Sequence, residues 1–72
     1  MVEKKTAITV IGNSGIILLK LQSLKECDFN DLMNSSGLEE MDFYPAIGYL
    51  LNEGKIALDS TGNSIRVRLK WL

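Results

Sequence analysis

The hydrophobic period of this chain changes at Gly54, and that change constrains its fold more than any other feature. Before Gly54, apolar residues recur at the spacing of one face of an α-helix. After Gly54, apolar and polar residues alternate, which is the pattern of a half-buried β-strand. A chain of 72 residues has room for one hydrophobic core. We therefore expect residues 1–72 to form a single α+β domain, with the polar, unpatterned residues 1–6 as a flexible lead-in.

Two helices are predicted in the first half of the chain. The first covers residues 9–24, where one apolar stripe contains Val10, Ile17, Leu21 and Leu24. The second begins with Asn30 as its N-cap, turns Leu32 and Met33 inward, and ends at Gly37.

Apolar residues of the first helix that lie off this stripe predict a contact with another chain. Ile11 and Leu18 point away from the stripe, so the apolar surface is wider than one small core covers. Trp71 near the C-terminus is a large apolar group that is ordered only if it packs on the core edge or on a second subunit. Ile11, Leu18 and Trp71 are thus the candidate dimer surface.

A third helix is predicted from Asp42 to Glu53, with Gly54 as its C-terminal stop. Pro45 is expected in its first turn, where the amides have no intrahelical acceptor and a missing N–H costs nothing. The apolar positions of this helix follow the helical spacing closely and are Phe43, Ala46, Ile47, Leu50 and Leu51.

Two strands follow the third helix and predict a hairpin. Ile56 and Leu58 alternate with polar or small residues, and so do Ile65, Val67 and Leu69. The segment between them, Ser60-Thr61-Gly62-Asn63, is rich in turn-forming residues. A tight turn there is expected to pair Leu58 with Ile65 and Ile56 with Val67. The predicted order is helix, helix, helix, strand, strand.

This order, with a glycine turn before the third helix, resembles the winged helix-turn-helix domain. Gly37 precedes Phe43 by six residues, and Ala46 and Ile47 follow three and four positions later, which is the helix-turn-helix spacing. More narrowly, the chain resembles a family of small prokaryotic winged-helix proteins of uncharacterised function. The segments that carry this likeness are Ile11-Gly12-Asn13, Phe43-Tyr44, Ala46-Ile47-Gly48-Tyr49-Leu50 and Lys55-Ile56. The alanine follows Pro45, where such proteins commonly have a polar or basic residue.

The resemblance implies that the third helix enters the major groove of DNA and that the wing contacts phosphate. The residues expected on the outer face of the helix are Pro45, Gly48, Tyr49 and Asn52. None of them is basic, and residues 42–53 contain no Lys or Arg. Glu39, Glu40, Asp42 and Glu53 would repel a polyanion. That outer face is therefore either a solvated helix surface or a protein contact in which Tyr49 is the anchor.

The predicted wing has the opposite charge. Arg66, Arg68 and Lys70 are expected on one strand face, with Lys55 across from Arg68. These four residues are the candidate nucleic-acid contacts. The alternative interpretation is that they are ordinary solvent-facing charges that protect a sheet edge.

Other functional classes find little support in the sequence. There is no His, and Cys27 is the only Cys, so the usual general base, zinc ligands and intrachain disulfides are missing. We expect a protein that is not an enzyme and has no cofactor, metal or small-molecule substrate. Cys27 itself is expected to be a packed apolar side chain. Glycines in Gly12-Asn13-Ser14-Gly15 suggest a phosphate loop only weakly, because no Lys follows at the Walker spacing.

Location and partners are predicted in outline only. No signal-peptide pattern is present, and the longest apolar runs fall far short of the roughly 20 residues that span a bilayer. We expect a cytoplasmic protein that binds no membrane. Two hypotheses remain for its role: a DNA-binding regulator, which follows from the fold resemblance, or a protein-interaction or homodimerisation module that does not bind DNA.

Overall fold

Three helices and a three-stranded antiparallel sheet make up the computed structural model, which describes residues 7–70. In chain order the elements are α1 (Ala7–Leu24), β1 (Glu26–Asp28), α2 (Phe29–Ser36), α3 (Glu40–Asn52), β2 (Ile56–Thr61) and β3 (Ser64–Leu69). The expected lead-in over residues 1–6 and the expected packing of Trp71 lie outside the described residues. The α+β class and the winged-helix fold are confirmed, with one strand, β1, added between the first two helices.

The core lies between the helices and one face of the sheet. Helix α1 packs mainly on α3, with further contacts to α2 and β3. The buried apolar side chains are Ile17, Leu21, Leu32, Phe43, Ala46, Ile47, Leu50, Ile56, Val67 and Leu69. Each helix and the hairpin thus contributes apolar residues to a single core.

Helix α1 buries a narrower stripe than the sequence predicts. Ile17 and Leu21 are fully buried, whereas Leu24 is 47% exposed because the helix ends at this residue. Lys25 then turns the chain with a left-handed backbone, φ +73°, into β1. Leu18 was expected to point away from the stripe, but it packs against the core.

Helix α2 begins two residues earlier than the sequence predicts. The N-cap is Asp28, whose carboxylate Oδ2 accepts a hydrogen bond from the backbone N–H of Asn30 at 3.0 Å. The prediction of Asn30 as N-cap was wrong, because Asp28 caps the helix two residues earlier and Asn30 already lies in the first helical turn. Gly37 ends the helix as predicted, with φ +75° in the left-handed region that favours glycine.

Helix α3 also begins earlier, and this moves Pro45 into the helix interior. The helix starts at Glu40, so Pro45 is its sixth residue rather than part of its first turn. The expected position of Pro45 was therefore wrong. Tyr49 was expected on the outer face but is half-buried and packs against the core.

The sheet has the strand order β1-β3-β2, and β1 is a strand that the sequence did not predict. Cys27 of β1 pairs with Val67, and on the other side of β3 Leu58 also pairs with Val67. The hairpin register differs from the prediction by two residues, since Ile65 lies opposite Ser60. The reason is a shorter loop, Gly62-Asn63, in which Gly62 has φ +59°, as the first central residue of a type II′ turn requires.

The described part of the chain contains no helix that is both long and apolar enough to cross a membrane.

Candidate functional site

The outer face of α3 is apolar and acidic. Met41 is 73% exposed, Tyr44 51% and Leu51 40%, and Pro45, Gly48 and Asn52 are also exposed as predicted. No Lys or Arg occurs between Glu40 and Asn52. The exposed carboxylates of Glu39 and Glu40 lie at the helix N-terminus, where they interact favourably with the helix dipole.

A groove of about 670 Å³ separates α3 from the hairpin, and we call it the α3–wing groove. Its lining residues are Asp28, Phe29, Asn30, Tyr44, Ile47, Leu58, Asn63, Ser64 and Ile65. Leu58 and Ile65 lie on the inner face of the sheet but remain 37% and 42% exposed. Five of these nine residues are apolar or aromatic, three are neutral and polar, Asp28 supplies one carboxylate, and no lining residue is basic.

Two aromatic rings, those of Phe29 and Phe43, pack around Tyr44 at the wall of this groove. Phe29 packs edge-on against the buried Phe43 with ring centroids 5.2 Å apart, and it stacks on Tyr44 at 5.7 Å with planes 29° apart. Such ring contacts stabilise the fold beyond the effect of the apolar area that the rings bury. Tyr44 is thus a half-exposed ring that stacks on the partly buried Phe29, and Phe29 in turn packs on the buried Phe43. Sequence reasoning missed Phe29 and Tyr44 as surface residues; the available signal was the aromatic pair Phe43-Tyr44 on a helix that can bury only one face.

The wing arginines lie on the outer face of the sheet, opposite the core. The Nε of Arg68 donates a hydrogen bond to Oδ2 of Asp59 at 2.7 Å. An Nη2 of Arg66 lies 3.9 Å from Oε2 of Glu26. Arg66 also has Asp28 and Asp59 as its cross-strand neighbours. These exposed pairs contribute little to stability, but three carboxylates surround two guanidinium groups and offset their positive charge.

The lysines of the predicted wing patch lie at the other end of the hairpin. Lys55 is not across from Arg68, whose partners are Ala57 and Glu26. The two-residue change of register instead places Lys55 beside Lys70, whose N–H donates to the Lys55 carbonyl oxygen at 3.0 Å. Because β2 has six residues, this end lies roughly 20 Å from the hairpin turn.

Lys25 joins the same end of the sheet. Its carbonyl oxygen accepts a hydrogen bond from the Leu69 N–H at 3.3 Å. Lys25, Lys55 and Lys70 together form what we call the lysine end. Lys25 follows the C-terminus of α1 and Lys55 follows that of α3, where positive charge is favourable. Helix stabilisation is therefore a sufficient reason for the positive charges of Lys25 and Lys55.

Cys27 is half-buried on the inner face of the sheet. Burial raises the pKa of its thiol above the ordinary value, and the negative charge of Asp31 raises this pKa further, while Arg66 lowers it. A thiol with a raised pKa is a poor nucleophile at neutral pH.

In the described part of the chain, no three His, Cys, Asp or Glu residues are grouped so that they could hold a metal ion.

The glycine-containing segment near the N-terminus forms no phosphate-binding loop. Gly12, Asn13, Ser14 and Gly15 all lie inside α1, where the Ser14 hydroxyl donates to the Ile11 carbonyl oxygen at 2.7 Å.

The two candidate dimer residues of α1 differ in exposure. Ile11 is 49% exposed, whereas Leu18 is partly buried against the core.

Comparison with known proteins identifies the fold family and nothing finer. Neither a curated protein nor a solved structure matched the chain significantly. A family model described as winged helix-turn-helix domain (DUF2582) matches residues 1–69. That match spans the three helices and the whole of the sheet. The chain therefore belongs to the winged helix-turn-helix domain family DUF2582.

Proposed function

We propose that this domain is a regulatory winged-helix module that binds protein through α3 and the α3–wing groove, in a non-catalytic role. One observation carries the proposal: the surface that a DNA-binding winged helix would insert into the major groove is apolar and acidic here.

Electrostatics opposes groove insertion of α3. Duplex DNA carries about one negative charge per 1.7 Å of its axis, and affinity rests largely on Lys and Arg at the phosphates. Helix α3 has none, and Glu39 and Glu40 lie at the helix end that would approach the backbone. Asn52 could pair with an adenine, but such a contact adds discrimination to an affinity that phosphate contacts must first supply.

The chemistry of the groove indicates its partner. Phe29, Tyr44 and Leu58 offer apolar contacts to an inserted side chain. Asp28 at the rim and Glu40, one helical turn before Tyr44, attract positive charge. The occupant that fits is a segment of another protein with an apolar or aromatic side chain next to Lys or Arg.

The experiment is selection of a random peptide library on the purified domain. We expect selected peptides to combine an apolar or aromatic residue with an adjacent Lys or Arg. Their affinity should fall at least tenfold in Tyr44→Ala and stay unchanged in Gln22→Ala, a control at an exposed position of α1. A library without binders, or peptides indifferent to Tyr44→Ala, would contradict the proposal.

Nucleic-acid binding is the second candidate, and the lysine end is the observation that favours it. Titration of labelled mixed-sequence duplex DNA at low and physiological salt separates the two functions. Micromolar binding that weakens steeply with salt and is lost in Lys55→Glu/Lys70→Glu would support phosphate contact at the lysine end. Loss in Arg66→Glu/Arg68→Glu instead would assign the contact to the wing face. The protein-binding proposal expects no DNA binding at physiological salt.

A further inference from the structure

Helix α1 has an exposed apolar face on the side opposite the core. Ile8 is 82% exposed, Leu19 68%, Ile11 49% and Ile16 40%. Together with two glycines they form what we call the α1 outer face: Ile8, Ile11, Gly12, Gly15, Ile16 and Leu19. None of these residues is charged, and they lie on the opposite side of the helix from Ile17 and Leu21, which pack in the core.

Positions on this face repeat symmetrically about the midpoint between Asn13 and Ser14. Moving outward in both directions, Gly12 mirrors Gly15, Ile11 mirrors Ile16, and Ile8 mirrors Leu19. At 100° per residue, Ile8 and Leu19 are separated by three turns and about 20°, so they lie on one line along the helix.

This symmetry matches the geometry of a two-fold axis. When two copies of a helix pack antiparallel about such an axis, each residue faces its mirror position on the partner helix. The glycines would then meet at the crossing point, and the large side chains would pack against one another on both sides of it. A face with this order is complementary to itself.

Packing among the described residues 7–70 gives no reason for these glycines. Glycine is the least favourable helix residue after proline, yet a Cβ at Gly12 or Gly15 would meet no described atom within 4 Å. A second helix that crosses closely at these positions needs small residues there, because the closest approach of two helices is set by the side chains at the contact.

The size of the face suits a modest dimer. Its four large side chains expose roughly 400 Å² per chain, the scale at which apolar patches on monomers mark interaction sites. Two such faces come to about 800 Å², which lies below the roughly 1,000 Å² of a stable specific interface and is the scale of a weak, concentration-dependent dimer. Neighbouring helices α2 and α3 pack on the other side of α1, so the α3–wing groove stays free.

From these observations we propose that the α1 outer face binds a second copy of this chain, with the two α1 helices antiparallel and crossing at Gly12 and Gly15. This surface is distinct from the α3–wing groove, and the proposal stands or falls independently of the protein-binding function.

Sedimentation equilibrium between about 1 and 500 µM protein tests the assembly. We expect the wild-type mass to approach twice 8.0 kDa, with a dissociation constant in the micromolar range, as the small interface implies. Leu19→Glu should weaken association at least tenfold, since each dimer would contain two buried carboxylates. Met41→Glu is the matched control, because Met41 is as exposed as Leu19 but lies on α3.

Gly12→Ala/Gly15→Ala guards against a folding defect in Leu19→Glu. Alanine favours the helix, so thermal stability of the monomer should rise while dimerisation weakens at least tenfold. A monomeric wild type at 500 µM, or a dimer that Met41→Glu disrupts and Leu19→Glu does not, would overturn the proposal.

Disulfide trapping tests the register. With Cys27→Ser as the background, a mixture of Ile8→Cys and Leu19→Cys chains should cross-link to each other. Neither variant alone should do so efficiently, because positions 8 and 19 lie about 16 Å apart along the helix. Efficient linking of Ile8→Cys to itself would indicate parallel helices and refute the proposed arrangement.

Discussion

Replacing Pro45 with alanine should stabilise the domain. Pro45 is the sixth residue of α3 and is exposed, so its ring contributes little packing. It has no N–H to donate to the carbonyl of Met41, and its ring crowds that carbonyl. Alanine at an interior helix position is favoured over proline by roughly 3 kcal/mol.

That difference compares the helix with the unfolded chain, so it already includes the restriction that proline places on the unfolded backbone. The expected increase in the free energy of unfolding is therefore about 3 kcal/mol. For a domain of this size, such a gain raises Tm by roughly 12 to 24 °C.

Urea unfolding followed by circular dichroism, at one protein concentration, measures this change. The midpoint should rise while the slope m stays constant, since the surface exposed on unfolding is the same. Gly48→Ala is the matched control in the same helix: a Cβ there meets nothing within 4 Å in the part of the chain that the structure describes, so we expect about 1 kcal/mol of stabilisation. If Pro45→Ala changed stability by less than about 0.5 kcal/mol, Pro45 would belong to the first turn and α3 would begin near Asp42.

Two further predictions concern the segment between α1 and α2. Asp28→Ala removes the N-cap of α2 and should lower the free energy of unfolding by about 1 kcal/mol, whereas Asp28→Asn should keep most of the capping stabilisation. Urea unfolding of both variants checks this. Equal losses of stability in the two variants would contradict the capping role. Cys27 has a raised thiol pKa, so its reaction with a thiol reagent should be slower than that of a free cysteine at pH 8. The native state holds the Cys27 proton more tightly than the unfolded chain, so the stability linked to this thiol is fully present below the ordinary thiol pKa and declines as pH rises through the higher native value. A Cys27→Ser variant should lack that alkaline decline, and an identical decline in both proteins would refute the assignment.

The sequence was sufficient to predict the elements whose pattern is long. Helix α3 repeats its apolar spacing from Phe43 to Leu50, and the hairpin alternates over two strands, so the core residues of both were predicted. At the margin of α3 the prediction was wrong, because Leu51 is exposed and Tyr49 packs against the core. The register of the hairpin was wrong by two residues. A shift of two residues keeps every side chain on the same face, so the alternation alone could not distinguish the two registers.

Strand β1 was missed because three residues are too few to show a period. The partner of this strand is 40 positions away in the chain, where Val67 pairs with Cys27. This omission also affected the candidate site. Glu26 and Asp28 are the carboxylates that β1 places beside the wing arginines, and a two-stranded wing without them appeared basic.

The α3–wing groove could not be predicted at all. Its walls come from the start of α2, the middle of α3 and the hairpin, which meet only in the folded chain. The sequence did predict surplus apolar surface on the first helix, including Ile11. It did not predict that Leu18 belongs to the core, because that depends on how α1 is rotated against its neighbours.

The pairing of β1 with β3 has a consequence for the order in which a newly made chain can fold. Helices α1 to α3 are synthesised before β3, and at about 5 to 20 residues per second the last strand follows α3 by roughly one to three seconds. During that interval β1 has no partner strand, and the core lacks Val67 and Leu69. The core side of α1 is then covered by α2 and α3 but not by the sheet, and its outer face is exposed as well, so the moment of greatest aggregation risk comes just before synthesis of the last strand.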